Sequence, residues 1–293
     1  MKGQKTAVIR SAKDFRAACV EARLDGPVAL VPTMGFLHEG HQSLIRAAAK
    51  RAPTVAVSIF VNPTQFGPNE DLARYPRDLQ GDLAKCEEAG AAFVFAPDAL
   101  EIYPEGFQTY VEPGPLAGPL CGARRPGHFR GVCTVVAKLF AISRADLALF
   151  GEKDFQQLAV IRRMATDLGF VTEVEGRATV RESDGLALSS RNAYLSPEER
   201  GRAVALWAAL GAVRARFAAD DRETGPLEAL AAKTLKDHGL KVDYAELRSP
   251  IDLERPARVD ATTRLFLAAF NGKTRLIDNG AVGDRHEPKP AET

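Results

Sequence analysis

The fold of this chain is decided by the stretch Val28-Ala29-Leu30-Val31-Pro32-Thr33-Met34-Gly35-Phe36-Leu37-His38-Glu39-Gly40-His41. The apolar run Val28–Val31 predicts a buried strand, and the pattern of an amphipathic helix begins near His38. A short turn containing Gly35 joins the two elements. A buried strand followed at once by a helix is typical of a parallel sheet that is covered by helices on both faces.

The two histidines of this stretch predict a phosphate-binding site. His38 and His41 are three residues apart at the start of the helix, so their side chains share a face. The first N–H groups of a helix have no partner within it, and the helix dipole is positive at that end, so anions bind there. Gly35 and Gly40 let a ligand approach the backbone closely. The combination points to an enzyme that handles the phosphates of a nucleotide.

The histidine pair has two other interpretations. An isolated His-x-x-His is more often a pair of ordinary polar residues at the edge of a loop. A zinc protease needs His-Glu-x-x-His, and His38-Glu39-Gly40-His41 is one residue too short for that pattern. Zinc is therefore disfavoured, and the preceding strand favours phosphate over a plain loop edge.

Composition excludes several classes of protein. The chain has 293 residues, 45% hydrophobic and 26% charged, as in an ordinary globular protein. A net charge of +1 gives no basic field for nucleic acid, and no apolar run is long enough to span a membrane. Met1–Arg10 has no apolar signal segment. The four cysteines form no Cys-x-x-Cys pair, which argues against disulfides and favours the cytoplasm.

Strand and helix patterns alternate over residues 1–179, which predicts a Rossmann-like, doubly wound parallel sheet. Ligands of such sheets bind beyond the carboxyl ends of the strands. The predicted strands are Thr6–Ile9, Val28–Val31, Thr54–Val61, Ala92–Ala96, Asp146–Phe150 and Phe170–Val174, and the predicted helices cover 11–23, 38–51, 79–89, 131–143 and 154–168.

The pattern changes after residue 179. Residues 180–282 predict a smaller α+β domain, with helices over 196–219 and 226–238 separated by a polar loop over 220–225. Strands follow at Val242–Leu247, Thr263–Phe270 and Thr274–Ile277, and Asn271-Gly272 is a hairpin signal between the last two. Residues 283–293 are polar and predict a disordered tail.

Polar residues follow two further predicted strands. Gln65 offers both a donor and an acceptor, although its segment alone favours a turn glutamine that faces water. Lys153 suits phosphates, Asp154 suits a helix cap or a metal bound through water, and Gln157 lies one helical turn later. The alternative for that segment is a capped helix with a solvated lysine.

Two more segments carry groups that suit anions. Ser189, Ser190 and Arg191 provide two hydroxyls and a guanidinium, a set that suits a triphosphate. The alternative is a polar linker between domains, against which the apolar Leu186-Ala187-Leu188 argues. Arg124–Gly131 is a basic loop for which anion binding and a plain charged surface are equally good interpretations.

Taken together, these segments resemble the pantoate–β-alanine ligase (pantothenate synthetase) family of the nucleotidyltransferase-like superfamily. Six motifs occur in the family's order and cover most of residues 28–195, and weaker similarity continues to Asn279. The matching segments are Pro32-Thr33-Met34-Gly35 with His38-x-Gly40-His41, Phe60-Val61-Asn62-Pro63-x-Gln65-Phe66, Tyr75-Pro76-Arg77, Arg125-Pro126-x-His128-Phe129-x-Gly131-Val132, Gly151-Glu152-Lys153-Asp154-x-Gln156-Gln157, and Asp184-Gly185-Leu186-Ala187-x-Ser189-Ser190-Arg191-Asn192.

The resemblance implies an ATP-dependent ligase that joins D-pantoate to β-alanine through a pantoyl adenylate. The products are pantothenate, AMP and pyrophosphate, which places the reaction in coenzyme A biosynthesis. It also implies Mg²⁺, a homodimer, and small-molecule substrates rather than nucleic acid or membrane.

The resemblance also implies roles for individual residues. His41, His38 and Lys153 are expected to be catalytic, with His41 as the proton donor, and Gln65 and Gln157 to bind pantoate, Gln65 also lying near β-alanine. Asp82 matches a carboxylate near the metal, although on sequence alone it is an exposed helix aspartate. The residues expected to hold ATP are Met34, Gly35, His38, His41, Gly151, Lys153, Asp154, Val180, Leu188, Ser189, Ser190 and Arg191.

Three other functions remain open at this stage. A cytidylyl- or adenylyltransferase of the same superfamily shares the histidine pair but lacks the frame of Gln65 and Gln157. An aminoacyl-tRNA synthetase fragment would need an RNA-binding surface, which the near-zero net charge disfavours. A non-catalytic nucleotide sensor would bind ATP without releasing pyrophosphate.

Overall fold

The structure is a computed structural model that describes residues 6–68, 70–285 and 287. Of the predicted tail, residue 286 and residues 288–293 lie outside the described part. The chain forms two compact units. Of the described residues, the N-terminal unit contains those up to Glu152 together with Gln157–Arg177, and the C-terminal unit contains Lys153–Gln156, residues 178–285 and residue 287.

The N-terminal unit is built on a six-stranded sheet whose strands are all parallel, in the order β1-β4-β3-β2-β5-β6. This confirms the predicted doubly wound sheet. The strands are β1 (Ala7–Ile9), β2 (Val28–Thr33), β3 (Thr54–Ile59), β4 (Phe93–Phe95), β5 (Leu147–Gly151) and β6 (Glu173–Arg177), and the helices are α1 (Ala12–Ala22), α2 (Glu39–Ala49), α3 (Leu79–Ala89), α4 (Ala99–Ile102), α5 (Cys121–Arg124), α6 (His128–Ser143) and α7 (Phe155–Asp167).

The central strand β2 explains where this unit can bind a ligand. Val28–Val31 is fully buried, and each valine or leucine side chain in it stabilises the fold by about 1.5–3 kcal/mol relative to exposure. Strand β3 lies on one side of β2 and β5 on the other, so the strand order reverses there. The crevice at such a reversal is where doubly wound sheets bind ligands. Met34 and the residues after Gly151 leave the sheet at this point.

The C-terminal unit carries a three-stranded antiparallel sheet in the order β7-β8-β9. Asn271 pairs with Thr274, so β8 and β9 are joined by the two-residue loop Gly272-Lys273, as the hairpin signal predicts. Its strands are β7 (Lys241–Arg248), β8 (Arg264–Asn271) and β9 (Thr274–Ala281), and its helices are α8 (Pro197–Ala203), α9 (Ala205–Ala218) and α10 (Thr224–Asp237).

Two predicted elements differ from the observed ones. The strand expected at Phe170–Val174 begins at Glu173, because the N–H of Phe170 closes the end of α7 on the carbonyl of Ala165 and its ring packs on Phe140. The helix expected over 196–219 is divided at Val204, which keeps helical angles (φ −60°, ψ −17°).

Across the residues that the structure describes, we find no helix with both the length and the apolar character needed to cross a membrane.

Candidate active site

The turn after β2 has an unusual backbone. Gly35 has φ +83° and Phe36 has φ +51°, so two consecutive residues adopt left-handed conformations. A Cβ on residue 35 would lie 3.0 Å from the Ile59 side chain and 3.0 Å from Oδ2 of Asp82, so only glycine fits there. Thr33 supports the turn, because its hydroxyl accepts from the N–H of Gly35 (3.2 Å) and donates to the carbonyl of Ser58 (2.7 Å).

Asp82 on α3 holds this turn. Its Oδ2 accepts from the N–H of Phe36 (2.8 Å) and its Oδ1 from the N–H of Leu37 (2.6 Å), while Lys85 donates to the Leu37 carbonyl (2.7 Å). Burial raises the pKa of the Asp82 carboxyl, and the two N–H bonds oppose that shift. The carboxylate therefore acts as a clamp on the backbone that leads into α2.

The expectation that Asp82 is an exposed helix residue is wrong, since only 1% of it is accessible. Asp82, Cys86 and Ala89 are four and three residues apart and form the buried face of α3. The amphipathic pattern of α3 is weak, which hides this face in the sequence.

His38 and His41 come together at the start of α2. The N–H of His38 donates to Nδ1 of His41 (3.3 Å), and the two ring centroids are 4.1 Å apart with planes tilted by 37°. A neutral imidazole that accepts at Nδ1 carries its proton on Nε2. The backbone thus selects the tautomer in which the Nε2–H of His41 is a donor.

Gln65 is buried, with 8% of it exposed, so the expectation from its segment of a glutamine facing water is wrong. Asn62 explains this, because its Nδ2 donates to Oε1 of Gln65 (3.0 Å) and to the carbonyl of Gly131 (3.1 Å). The Nε2 of Gln65 lies 3.1 Å from the sulfur of Met34. Two residues predicted for different ligands, Met34 and Gln65, are therefore neighbours.

Asn62 is the centre of a network that sequence reasoning missed. It is fully buried, and its Oδ1 accepts from the hydroxyls of Thr64 (2.9 Å) and Tyr103 (2.8 Å). Burial raises the pKa of Tyr103, so this hydroxyl stays protonated as a donor. The position of Asn62 directly after a buried strand, three residues before Gln65, was the available signal.

Arg125 of the basic loop is engaged within the protein, so this side chain does not fit the interpretation of a plain charged surface. Its guanidinium makes a two-pronged ion pair with Glu70 (both contacts 2.6 Å) and contacts Nε2 of His128 (2.9 Å), whose Nδ1 contacts the Gln65 carbonyl (2.9 Å). Although burial raises the pKa of Glu70, the bonds and charge of Arg125 dominate and lower it. Arg125 therefore braces the Gln65 turn.

In the C-terminal unit, Lys153 lies in a single 3-10 turn, Glu152–Asp154, before α7. Its ammonium is 3.6 Å from Oδ2 of Asp154, and its carbonyl accepts from Nδ2 of Asn279 (2.8 Å). The Lys153 side chain is 19% exposed, which does not fit the alternative of a solvated lysine.

The segment from Val180 to Asn192 is structured, with a hairpin from Val180 to Leu188 followed by a 3-10 turn. Leu188 donates to the carbonyl of Val180 (3.0 Å). Ser189 then caps the 3-10 turn Ser190–Tyr194, its hydroxyl accepting from the N–H of Arg191 (3.3 Å). The alternative of a loose interdomain linker is wrong, because these hydrogen bonds fix the backbone beside both serines.

The predicted site residues divide between the units. The N-terminal unit brings together Met34, Gly35, His38, His41, Gln65 and Asp82 around the ends of β2 and β3, and it also holds Gly151 at the end of β5 and Gln157 on α7. The C-terminal unit holds Lys153, Asp154, Val180, Leu188, Ser189, Ser190 and Arg191. Within the described part of the chain, no three His, Cys, Asp or Glu side chains form a group able to hold a metal.

Comparison with known proteins identifies the family. The model of the family described as pantoate-beta-alanine ligase matches residues 7–281. Pantothenate synthetase of Myxococcus xanthus (strain DK1622) is 55% identical over 284 residues, covering 94% of this chain and 96% of the relative. That of Anaeromyxobacter dehalogenans (strain 2CP-C) is 56% identical over 276 residues, covering 92% and 96%.

Solved structures agree with this result. Pantothenate synthetase from Thermus thermophilus superposes with a TM-score of 0.90 at 46% identity, covering 94% of this chain and 99% of that one. Pantoate-beta-alanine ligase from Francisella tularensis, complexed with beta-gamma ATP and beta-alanine, gives 0.82 at 33% identity, covering 96% and 100%. The chain therefore belongs to the pantoate–β-alanine ligase family.

Proposed function

We propose that this chain joins D-pantoate to β-alanine at the expense of ATP in two steps. The pantoate carboxylate attacks the α-phosphorus of ATP, forming pantoyl adenylate and releasing pyrophosphate. The β-alanine amine then attacks the acyl carbon, and AMP leaves with the former carboxylate oxygen. The observation that carries the proposal is the pair His38 and His41 at the N-terminus of α2, directly after the central strand, in a chain that the family model matches over residues 7–281.

The first step needs charge stabilisation at the phosphates. As the bond to pyrophosphate breaks, negative charge grows on the leaving oxygens, and donors fixed in advance stabilise it. The Nε2–H of His41, the His38 ring and the helix N-terminus supply such donors. Lys153 adds a point charge, and Ser189–Arg191 add two hydroxyls and a guanidinium. The family resemblance also assigns to ATP binding Met34, Gly35 and Gly151 of the N-terminal unit and Asp154, Val180 and Leu188 of the C-terminal unit.

Gln65 and Gln157 bind pantoate, and Gln65 also lies near β-alanine. Asn62 occupies Oε1 of Gln65, which leaves Nε2 as the group available to an oxygen of the substrate. The partner of Nε2 is a thioether, a weak acceptor, so a carboxylate or hydroxyl replaces it at little cost. The buried amide is thus held with its donor ready for the acid.

No covalent intermediate on the protein is needed, and catalysis rests on positioning and charge. All four cysteines are buried, and burial raises the pKa of Cys19, Cys86 and Cys133 to about 12. At neutral pH these thiols stay protonated, and the thiol is a poor nucleophile. The acyl group is therefore activated by the nucleotide alone.

Magnesium ion is proposed to accompany ATP, held by the phosphate oxygens. Among the residues that the structure describes, no His, Cys, Asp and Glu side chains group together as a metal cage. Both oxygens of Asp82 already accept backbone N–H bonds, and this fits a clamp better than a metal ligand. No step of the proposed reaction passes through a protein-bound metal.

The proposal extends to organisation and location. Residues 1–179 form the nucleotide- and pantoate-binding domain and residues 180–282 the lid domain, in a homodimer. The cytoplasm is supported by four cysteines that are buried thiols and not disulfides. Light scattering of the purified chain tests the dimer.

A product assay tests the function. The chain is incubated with ATP, Mg²⁺ and D-pantoate, with and without β-alanine, and AMP, pyrophosphate and pantothenate are followed by mass spectrometry. We expect pantothenate only when β-alanine is present. Folded protein that binds ATP but forms neither AMP nor pantothenate would overturn the proposal and favour a nucleotide sensor or a nucleotidyltransferase for phosphate esters.

A further inference from the structure

Strand β9 carries two adjacent polar residues, Asp278 and Asn279, to which the proposed reaction assigns no role. Both lie inside the C-terminal unit, with 3% and 4% of their surface exposed. Neighbouring side chains on a strand point to opposite faces of the sheet, so the two residues reach different segments. Each of them reaches a segment that carries groups for the ATP phosphates.

Asp278 makes a buried ion pair with Arg181. The two oxygens of the carboxylate accept from the two terminal nitrogens of the guanidinium at 2.6 and 2.8 Å, and the side chains are 2% and 6% exposed. Arg181 also donates to the carbonyl of Gly185 (3.0 Å), and its guanidinium lies 4.2 Å from the ring centre of Trp207. A planar fork with several partners fixes a backbone far better than a single charge does.

The ion pair of Arg181 with Asp278 fixes the hairpin that leads into Ser189. Arg181 pairs with Ala187 across the hairpin, and Leu188 donates to the carbonyl of Val180. A Cβ on Gly185 would overlap the ring of Trp207, so the tip of the hairpin is packed tightly as well. Ser189 follows directly, and the hairpin therefore sets the position of the Ser189–Arg191 segment.

Asn279 fixes the second segment. Its Nδ2 donates to the carbonyl of Lys153 (2.8 Å), and its Oδ1 accepts from Arg264 (2.5 Å). Since Arg264 can only donate, the orientation of the Asn279 amide is determined by this network. The hydrogen bond to the Lys153 carbonyl fixes the backbone that carries the Lys153 side chain and its ammonium group.

We infer that Asp278 and Asn279 are positioning residues. They fix the position of the Lys153 segment relative to the Ser189–Arg191 segment, so that both can bind the ATP phosphates. Asp278 acts through Arg181 and the hairpin, and Asn279 acts through the Lys153 carbonyl. This inference rests on the proposed function. It explains why two polar residues, Asp278 and Asn279, are buried in the sheet although the proposed reaction does not use them for substrate contact and they are not part of a hydrophobic core.

Asn279→Asp is the sharpest test, because it keeps the size of the side chain and the bond from Arg264 but removes the donor to Lys153. The two half-reactions are measured separately. We expect ATP–pyrophosphate exchange in the presence of pantoate to fall by about tenfold to a hundredfold, the cost of misplacing a catalytic group by about 1 Å. The KM for ATP rises, and the KM for pantoate stays the same. The reaction of supplied pantoyl adenylate with β-alanine changes by less than about twofold, because the β- and γ-phosphates of ATP have already left as pyrophosphate.

Asp243→Asn is the matched control. It breaks the ion pair of Asp243 with Arg275 (3.0 and 2.9 Å), which joins strands β7 and β9 of the same sheet. We expect both half-reactions to keep the wild-type rates. Arg181→Lys, which retains the charge but loses the fork, tests Asp278 with less risk of unfolding than removing the carboxylate, and it should show the same selective loss. Melting temperatures identify variants that fail to fold.

The inference is overturned if Asn279→Asp matches Asp243→Asn in pyrophosphate exchange, or if both half-reactions fall in parallel. Failure of the proposed function is seen separately, because the wild-type chain would then show no pantoate-dependent exchange at all.

Discussion

The N–H of His38 donates to Nδ1 of His41, 3.3 Å away, and this one bond prepares the second histidine for its task. With Nδ1 occupied as an acceptor, the neutral ring presents its proton on Nε2. The residue that caps α2 thereby sets the tautomer of the residue one turn later. The local sequence thus provides both a phosphate-binding site at the N-terminus of α2 and a hydrogen-bond donor of fixed orientation.

Replacing His41 by alanine should remove that donor. We expect the rate of adenylation to fall by about a hundredfold or more, the scale of losing a charge-stabilising or acid group. Pyrophosphate exchange measures it, and His238→Ala is a control because that histidine is exposed at the end of α10. An unchanged exchange rate in His41→Ala would remove His41 from the mechanism.

Replacing Gln65 by alanine should weaken the binding of pantoate more than the binding of ATP. The amide is held by Asn62 with Nε2 available to the acid, and no phosphate role is assigned to it. We expect the KM for pantoate to rise by about tenfold or more, the value of a hydrogen bond to a charged group, at about 1.5–3 kcal/mol. Steady-state kinetics with each substrate varied separates the two effects, and equal losses for both would contradict the assignment.

Asp82→Asn distinguishes a clamp from a metal ligand. The asparagine amide can accept only one of the two N–H bonds from Phe36 and Leu37. We expect a raised KM for ATP at saturating Mg²⁺ and an unchanged Mg²⁺ concentration for half-maximal rate. A shift of that concentration, with ATP binding otherwise intact, would show that Asp82 binds the metal.

The ion pair of Glu70 with Arg125 predicts a pH dependence of stability. The folded state lowers the pKa of Glu70 below its ordinary value of 4.5, so this stabilisation is complete above that value. It is lost as the pH falls through the lowered, folded-state pKa. The melting temperature of wild type should therefore exceed that of Glu70→Gln at pH 7 and approach it in acid. A difference that is constant with pH would contradict this origin.

The sequence predicted the parallel sheet and the smaller antiparallel sheet well, because long β-branched runs such as Thr54–Ile59 and the Asn271-Gly272 turn act locally. The burial of Asp82 and Gln65 could not be predicted, because it depends on partners distant in the chain. Asp82 accepts a hydrogen bond from Phe36, and Asn62, which holds Gln65, donates to Gly131. Arg125 could not be interpreted without Glu70, which lies 55 residues earlier. Periodicity identifies elements, whereas tertiary contacts decide which polar side chains are engaged.

The central claim is that pantoate is activated as an acyl adenylate, and an isotope experiment tests it most directly. Pantoate labelled with ¹⁸O in its carboxylate is converted with ATP and β-alanine, and the products are analysed by mass spectrometry. The account predicts one ¹⁸O in AMP and none in pyrophosphate, because the attacking oxygen leaves with AMP. Unlabelled AMP alongside pantothenate would contradict the account, since the carboxylate would then not have attacked the α-phosphate.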